Sequence, residues 1–378
     1  MALRNVRVVE LIGLAPGPFC GKILADFGAT VNVIHRVEGS PLDIMSNGKR
    51  LISVNLKAKE GKDIIKKLCK NSDVLIDTYR PGVLEKLGLG PEVLLNENKR
   101  LIYARLSGFG QDGCYKNKAG HDINYSAMSG VLSMLAKNKE PPSPPINILA
   151  DFAGGSLLCA LGIVIALFER NQSNKGQVID CSMTEGAAYI ASWLFKSRIF
   201  SFMNQEPGCN VLDGGAAFYK TYKTKDGKFM AVGAIESQFY SQFLNALQLS
   251  EETYSQYSDQ NMCKKKFEEI FLTKTQSEWS EIFKNLDACV TPVIDFNIVD
   301  KHELSLSRSS FYRDNNNLVT PEPAPRLSRT PAFSSGKKET PDHGQHTLEI
   351  LKELGYTDTE IDDLIKNGII FAKTKSKI

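Results

Sequence analysis

Arg7-Val8-Val9-Glu10-Leu11, Val31-Asn32-Val33-Ile34 and Leu51-Ile52-Ser53-Val54-Asn55-Leu56 are three short aliphatic runs set apart by stretches of helical character. Short runs rich in β-branched residues and bounded by turn formers read as strands. Between the first two, a loop over 13–18 leads into a helix over 19–27. After the third comes a helix over 61–70. Asp73-Val74-Leu75-Ile76-Asp77 and Leu101-Ile102-Tyr103-Ala104-Arg105 continue the series. Strands alternating with helices predict a parallel sheet flanked by helices, an α/β domain of Rossmann-like type. Ligands of such sheets bind beyond the carboxyl ends of the strands. Arg36, the Ser53 to Leu56 run and Arg80 fall at or near such ends.

Phosphate-cradling glycines at the spacing GxGxxG are missing from the first strand–helix turn: Gly13 with Gly17, and Gly108 with Gly110, do not fit it. A bound dinucleotide is therefore not expected. Farther along, 122–135 reads as helical, 137–145 as a Pro/Lys-rich loop, and the apolar run after Asp151 as a buried helix ending near 170. A strand over 176–180 and a helix over 184–200 follow. Near 203 the character changes. Phe218-Tyr219-Lys220-Thr221-Tyr222 and Phe229-Met230-Ala231-Val232 flank Asp226-Gly227, a hairpin signal. Helices over 237–247, 264–272 and 276–286 precede a strand over 289–296 whose proline marks it as an edge. These elements predict a smaller α+β domain over 203–315. Residues 1–202 with 316–378 then form the large domain, closed by a Pro-rich return over 320–331 and a helix over 357–366 that stops at Asn367-Gly368.

Composition narrows the function. The chain has 378 residues, enough for two domains, and a formal charge of only +3 without a basic strip, so nucleic acid is not an expected partner. The apolar stretch 152–168 is about a turn short of a spanning helix, so no membrane span is expected. Eight scattered cysteines without CxxC spacing predict reduced thiols and no metal site. The N-terminus carries no secretory signal pattern.

Two places carry chemistry. Gly120-His121-Asp122-Ile123-Asn124-Tyr125 puts one of five histidines in a loop that opens a helix. Leu149-Ala150-Asp151-Phe152-Ala153-Gly154-Gly155 puts a carboxylate at the mouth of an apolar helix. A histidine and a carboxylate facing one pocket suit two-base proton transfer. Plainer readings stand beside this one: His121 as an ordinary loop histidine, Asp151 as an N-cap, and Asp122 as a cap. A helix N-terminus lowers the pKa of Asp151 and burial raises it, and the sequence leaves the balance open.

Taken together, several segments resemble the family III CoA-transferase superfamily, and within it the branch of racemases acting on 2-methylacyl-CoA thioesters. They are Val9-Glu10-Leu11 through Pro16-Gly17-Pro18, Arg80-Pro81-Gly82-Val83 with Leu87-Gly88-Leu89-Gly90-Pro91, the runs 101–106, 120–125 and 149–155, Leu212-Asp213-Gly214-Gly215, Val232-Gly233-Ala234-Ile235-Glu236, and Asp287-Ala288-Cys289-Val290-Thr291-Pro292-Val293. The resemblance implies that His121 and Asp151 remove and return the α-proton on opposite faces through an enolate, with Glu236 orienting His121. It implies CoA contacts from Arg36, Ser53, Val54, Asn55, Leu56, Arg80, Lys86 and the loop Gly120, His121, Asp122, Ile123, Asn124 and Tyr125. Asp122 would also turn its backbone N–H toward the enolate oxygen. No cofactor is implied, because CoA is part of the substrate. Met183, Phe195, Phe202, Phe218 and Phe239 are candidates for the acyl slot, with core packing as the plainer reading. The implied substrates are branched-chain fatty acyl-CoAs and bile-acid intermediates.

The resemblance further implies an interlocked homodimer with shared active sites, in which the partner supplies Glu236. Transferases of the superfamily use the position of Asp151 as a nucleophile, which is the alternative activity. Ser237, Val37 and Ala217 stand where the family commonly has proline. Ser376-Lys377-Ile378 resembles a peroxisomal import tripeptide, so a peroxisomal import receptor is an expected partner and the peroxisome an expected location. The mitochondrion is a second expected location, left open by Arg4 and Arg7 ahead of the first acidic residue.

Overall fold

The computed structural model describes residues 1–38, 43–137 and 140–373. Six parallel strands form the large sheet: β1 (Arg7–Leu11), β2 (Thr30–His35), β3 (Arg50–Val54), β4 (Val74–Asp77), β5 (Ile102–Ser107) and β6 (Gln177–Ser182). Their order is β3-β2-β1-β4-β5-β6, with Ile370–Phe371 added antiparallel to β3 as a seventh, edge strand. Order reverses between β1 and β4, the place where open α/β sheets form their ligand crevice.

The strands β1 to β5 are largely apolar on both faces, and period two splits them between two cores. Val8, Ile76 and Ala104 pack with Cys20, Cys159 and Ile163 on one face. Val9, Leu75 and Tyr103 pack with Ile64, Leu68, Ile350 and Ile361 on the other. Burial on both faces is what a parallel sheet under two helix layers requires. Most expected strands recur within a residue or two. The helix expected over 19–27 spans Pro16–Asp26 instead, because proline suits the first helical turn, where no backbone donor is needed.

The chain forms two compact units: Met1–Ser129 with Pro145–Ile190 and Leu304–Ile378, and Gly130–Pro144 with Ala191–Glu303. The edges expected at 202/203 and 315/316 differ from these. The helix expected as one piece over 184–200 is two, Met183–Ile190 and Ser192–Ser197, and the chain changes units at that break. Likewise the helix expected over 122–135 ends at Met128, and Gly130 (φ 83°) turns the backbone where a side chain would be strained.

The second unit is α+β. It has an antiparallel sheet of β7 (Tyr219–Lys223), β8 (Phe229–Gly233) and β9 (Val290–Pro292), with β8 central. Helices Ser237–Ala246, Gln260–Phe271 and Gln276–Phe283 cover it. Tyr222, Phe243, Phe267, Phe271, Trp279 and Phe283 form its aromatic core. Phe218 belongs to this core and Phe239 packs against it, so both take the plainer reading. Ala217 donates its N–H to Gln260 Oε1 (2.9 Å), a bond that proline at this position excludes.

The apolar helix of the large unit starts earlier than expected and is not fully buried. It runs through Ile148–Leu157 with π-type hydrogen bonding and continues as an α-helix over Leu158–Ser173. By length and composition it is apolar enough to cross a membrane. One face enters the core through Cys159, Ile163 and Ala166, while Leu157, Leu161, Ile165 and Phe168 stand exposed. All eight cysteines are free.

Candidate active site

The loops after β1, β4, β5 and β6 enclose a cavity of about 460 Å³ at the switch point. Leu14 comes from the first loop, Pro16 and Gly17 from the start of the helix that follows it, Thr78 to Pro81 from the second loop, and Gly108 and Phe109 from the third. Met183 borders the cavity just past β6, and His121 and Asp151 line it together. The Gly17 backbone packs closely on the Thr78 side chain: a Cβ at Gly17 would lie 2.3 Å from Thr78 Cγ2.

His121 directly precedes the helix Asp122–Met128, and its N–H donates to Asn124 Oδ1 (3.1 Å). Tyr125 reaches back to the Gly120 carbonyl and packs edge-on against Phe109 at 5.0 Å. That bond and ring contact hold the approach to His121. A Cβ at Gly120 would fall 2.7 Å from the Tyr125 ring, which is why the loop needs glycine there. Gly120, His121, Asn124 and Tyr125 all line the cavity. Ile123 is exposed, and Asp122 is buried beneath the loop, so neither is among the lining residues.

Asp151 is 7% exposed and lies within the first helical turn, not at the N-cap. The N-cap is Asn147, in the left-handed region (φ 59°), which asparagine tolerates better than most residues. Its side-chain amide donates to Asp151 Oδ2 (2.9 Å). Burial pushes the Asp151 carboxyl above its ordinary value, and the Asp122 carboxylate adds to this. The Asn147 bond and nearby His121 pull the other way. Desolvation is the largest of these influences and sets the upward direction. Neither Asn147 nor its contact was singled out from the sequence, although asparagine just before an apolar run is an N-cap signal.

Beside this cavity lies a larger one of about 990 Å³ at the ends of β2 and β3. Tyr79 and Arg80 line both. Arg36, Lys57, Arg80 and Lys86 face the larger cavity against one acid, Glu38, so it favours an anion. Val54, Asn55 and Leu56 line it too. Ser53 does not: it is fully buried in β3, with its hydroxyl 3.2 Å from His343 Nε2. Lys57, like Lys116 and Lys118 on the smaller cavity, escaped the sequence reading because an isolated surface lysine carries no pattern.

Underneath, Glu10 at the end of β1 forms a buried ion pair with Lys49 (2.9 Å), whose ammonium also donates to the Pro18 carbonyl. Burial lifts the Glu10 pKa to about 7 despite the lysine. His35, also buried, has both ring nitrogens without a hydrogen-bond partner among the described residues, and desolvation lowers its pKa to about 4. In the second unit, Glu236 is exposed at the N-cap of the helix Ser237–Ala246, and Phe195 and Phe202 are exposed.

Comparison with known proteins bears on what this geometry does. The family model described as CoA-transferase family III matches residues 3–347. The α-methylacyl-CoA racemase of Mus musculus is 53% identical over 373 residues, covering 98% of each chain. That of Homo sapiens is 52% identical over 375 residues with the same coverage. A crystal structure of a CaiB/BaiF family protein from Brucella suis superposes with a TM-score of 0.78 at 22% identity, covering 93% of this chain and 99% of the other.

Proposed function

We infer the activity from one premise: the chain belongs to the CoA-transferase family III. Within that family it is an isomerase, a racemase that interconverts (2R)- and (2S)-2-methylacyl-CoA thioesters. The observation that ties this activity to particular residues is the shared cavity of His121 and Asp151.

A thioester acidifies its α-hydrogen when the enolate oxygen is stabilised. In the proposed mechanism, neutral His121 takes the proton from one face and protonated Asp151 returns one to the other. The reverse reaction exchanges the two roles. The raised pKa of Asp151 supports its use as an acid, since it retains its proton at higher pH than an ordinary carboxyl. The Asp122 backbone N–H, at the start of its helix, is assigned to the enolate oxygen. Arg36, Arg80 and Lys86 are assigned to the CoA phosphates, Val54, Asn55 and Leu56 to the adenine end, and the 120–125 loop to the pantetheine. No cofactor takes part; CoA enters as part of the substrate.

Glu236 is assigned to orient His121 from the partner subunit of an interlocked homodimer. The exposed apolar face of Leu157, Leu161, Ile165 and Phe168 supports pairing with a second copy rather than with lipid. Branched-chain fatty acyl-CoAs and bile-acid intermediates are the proposed substrates. The peroxisome is the proposed location, through recognition of Ser376-Lys377-Ile378 by an import receptor, with the mitochondrion as a second compartment. That tripeptide lies outside the described residues.

The transferase alternative makes Asp151 a nucleophile toward the thioester carbonyl. Incubation with a single enantiomer of a 2-methylacyl-CoA in D₂O separates the two. Inversion with α-deuterium incorporation and no acceptor acid supports the racemase. Turnover only when an acceptor carboxylic acid is added would overturn it.

A further inference from the structure

Asp122 follows His121 in the chain but is only 2% exposed. Its Oδ2 accepts the backbone N–H of Ala150 (2.8 Å) and of Asp151 itself (2.9 Å). Oδ1 takes the Ser126 hydroxyl at 3.3 Å. The first turn of any helix leaves its backbone donors unpaired. Asp122 therefore caps a helix other than the one it begins.

We propose that the Asp122 side chain is a positioning residue for racemisation, a single carboxylate that fixes the backbone of Asp151 to the residue beside His121 and so sets the spacing of the two proton carriers. This rests on the two-base reading of His121 and Asp151. It concerns the side chain alone, apart from the backbone N–H assigned to the enolate oxygen. One group does two things here. It holds geometry through two charge-assisted hydrogen bonds, which are stronger than neutral ones. It also places a negative charge beside Asp151, where like charge favours the protonated carboxyl. The groups bearing on Asp151 are Asp122 and His121 from the 120–128 segment and Asn147 from its own helix. Tyr125 lies close enough for the Asp151 charge to affect it, and Arg80 acts on that same tyrosine from the loop after β4.

Asp122→Asn is close to isosteric. Its amide oxygen still accepts both N–H groups, while its NH₂ faces the Ser126 hydroxyl, so the hydrogen bonds survive and the charge goes. Asp122→Ala removes both. For Asp122→Ala, kcat is expected to fall about a hundredfold, the scale of a misplacement of about 1 Å, with KM within about threefold because the buried Asp122 side chain does not reach the substrate cavity. Asp122→Asn is expected to recover most of kcat, but to move the limb of the pH–kcat/KM profile that Asp151 sets to lower pH.

Parental kcat in Asp122→Ala, or parental limbs in Asp122→Asn, would overturn the proposal. If Asp122→Ala does not fold, the limb in Asp122→Asn decides alone. Asp151→Asn, assayed in parallel, separates the two levels. If that variant still racemises, the two-base reading fails. If it is dead while both Asp122 variants behave as the parent, only the positioning role fails.

Discussion

Gly186→Ala is a sharp test of how the fold delivers Asp151. The helix Met183–Ile190 crosses the π-helical turn of Ile148–Leu157 at backbone distance. A Cβ at Gly186 would lie 1.9 Å from the Gly154 carbonyl oxygen and 2.6 Å from its carbon. Ordinary contact begins at 3.4 Å, so the two backbones must part by roughly 1.5 Å, and neither is a flexible side chain that moves cheaply. Overpacking of this kind costs about 1–3 kcal/mol or more, against a helix-propensity gain of about 1 kcal/mol for alanine over glycine. Taking the upper end of that cost for so close a backbone clash leaves a net loss of about 2 kcal/mol, which lowers Tm by roughly 4–8 °C for units of this size. The segment that shifts carries Asp151 on its preceding turn, so kcat is expected to fall about a hundredfold.

Gly162→Ala is the internal control. It lies on the same long helix, but its Cβ would meet only the Ile179 side chain, at 3.4 Å from Cγ2 and 3.7 Å from Cδ1. Its Tm should hold or rise and its kcat should stay. Differential scanning calorimetry and a chiral acyl-CoA assay measure both variants. Equal Tm and equal kcat in Gly186→Ala and Gly162→Ala would refute the close-crossing argument.

Three further outcomes follow from the site. Lys49→Met leaves Glu10 buried without its cation, so stability by chemical denaturation should fall by about 3–5 kcal/mol where Glu10 stays ionised; because the lysine lowers the Glu10 pKa, part of that loss should be recovered as pH falls, beginning above pH 7. Arg80→Ala, on both cavities, should raise KM for acyl-CoA about tenfold, change kcat little and weaken the salt dependence of binding, all read from steady-state kinetics at several ionic strengths. His35 is held neutral in the fold, so the unfolded chain binds the extra proton between pH 6.5 and 4, and stability falls as pH falls through that window by up to about 3 kcal/mol. His35→Leu should flatten that limb in a Tm-against-pH series.

Which parts were legible follows from the range of the interactions. β1 to β5 are buried on both faces, so each writes a mostly apolar run whose identity needs no distant partner, while the edge strand β6 is exposed over much of its length and is marked by Val178 and Ile179. His121 and Asp151 were readable because each sits at a helix opening, where a polar residue next to apolar ones is visible locally. The true start of the Asp151 helix was not. Asn147 is the one local signal of it, and the first turn is held by Asp122, a residue distant in sequence. Ser53 fits the pattern of a strand end beside a cavity, yet tertiary packing against His343 turns it inward. The strand Ile370–Phe371 is too short to announce itself and exists by pairing with β3. The unit edges depend on where helices break, at Gly130 and Ala191, and composition shifts only later.

The most direct test of two proton carriers on one α-carbon is enantiomer-resolved exchange in D₂O with His121→Ala and Asp151→Asn. Each variant, given each enantiomer of a 2-methylacyl-CoA separately, is followed for α-deuterium and for inversion. Two carriers on opposite faces predict that neither variant inverts and that any exchange left in one variant is of the enantiomer the other cannot touch. Near wild-type inversion by either variant, or exchange of the same enantiomer by both, would contradict it.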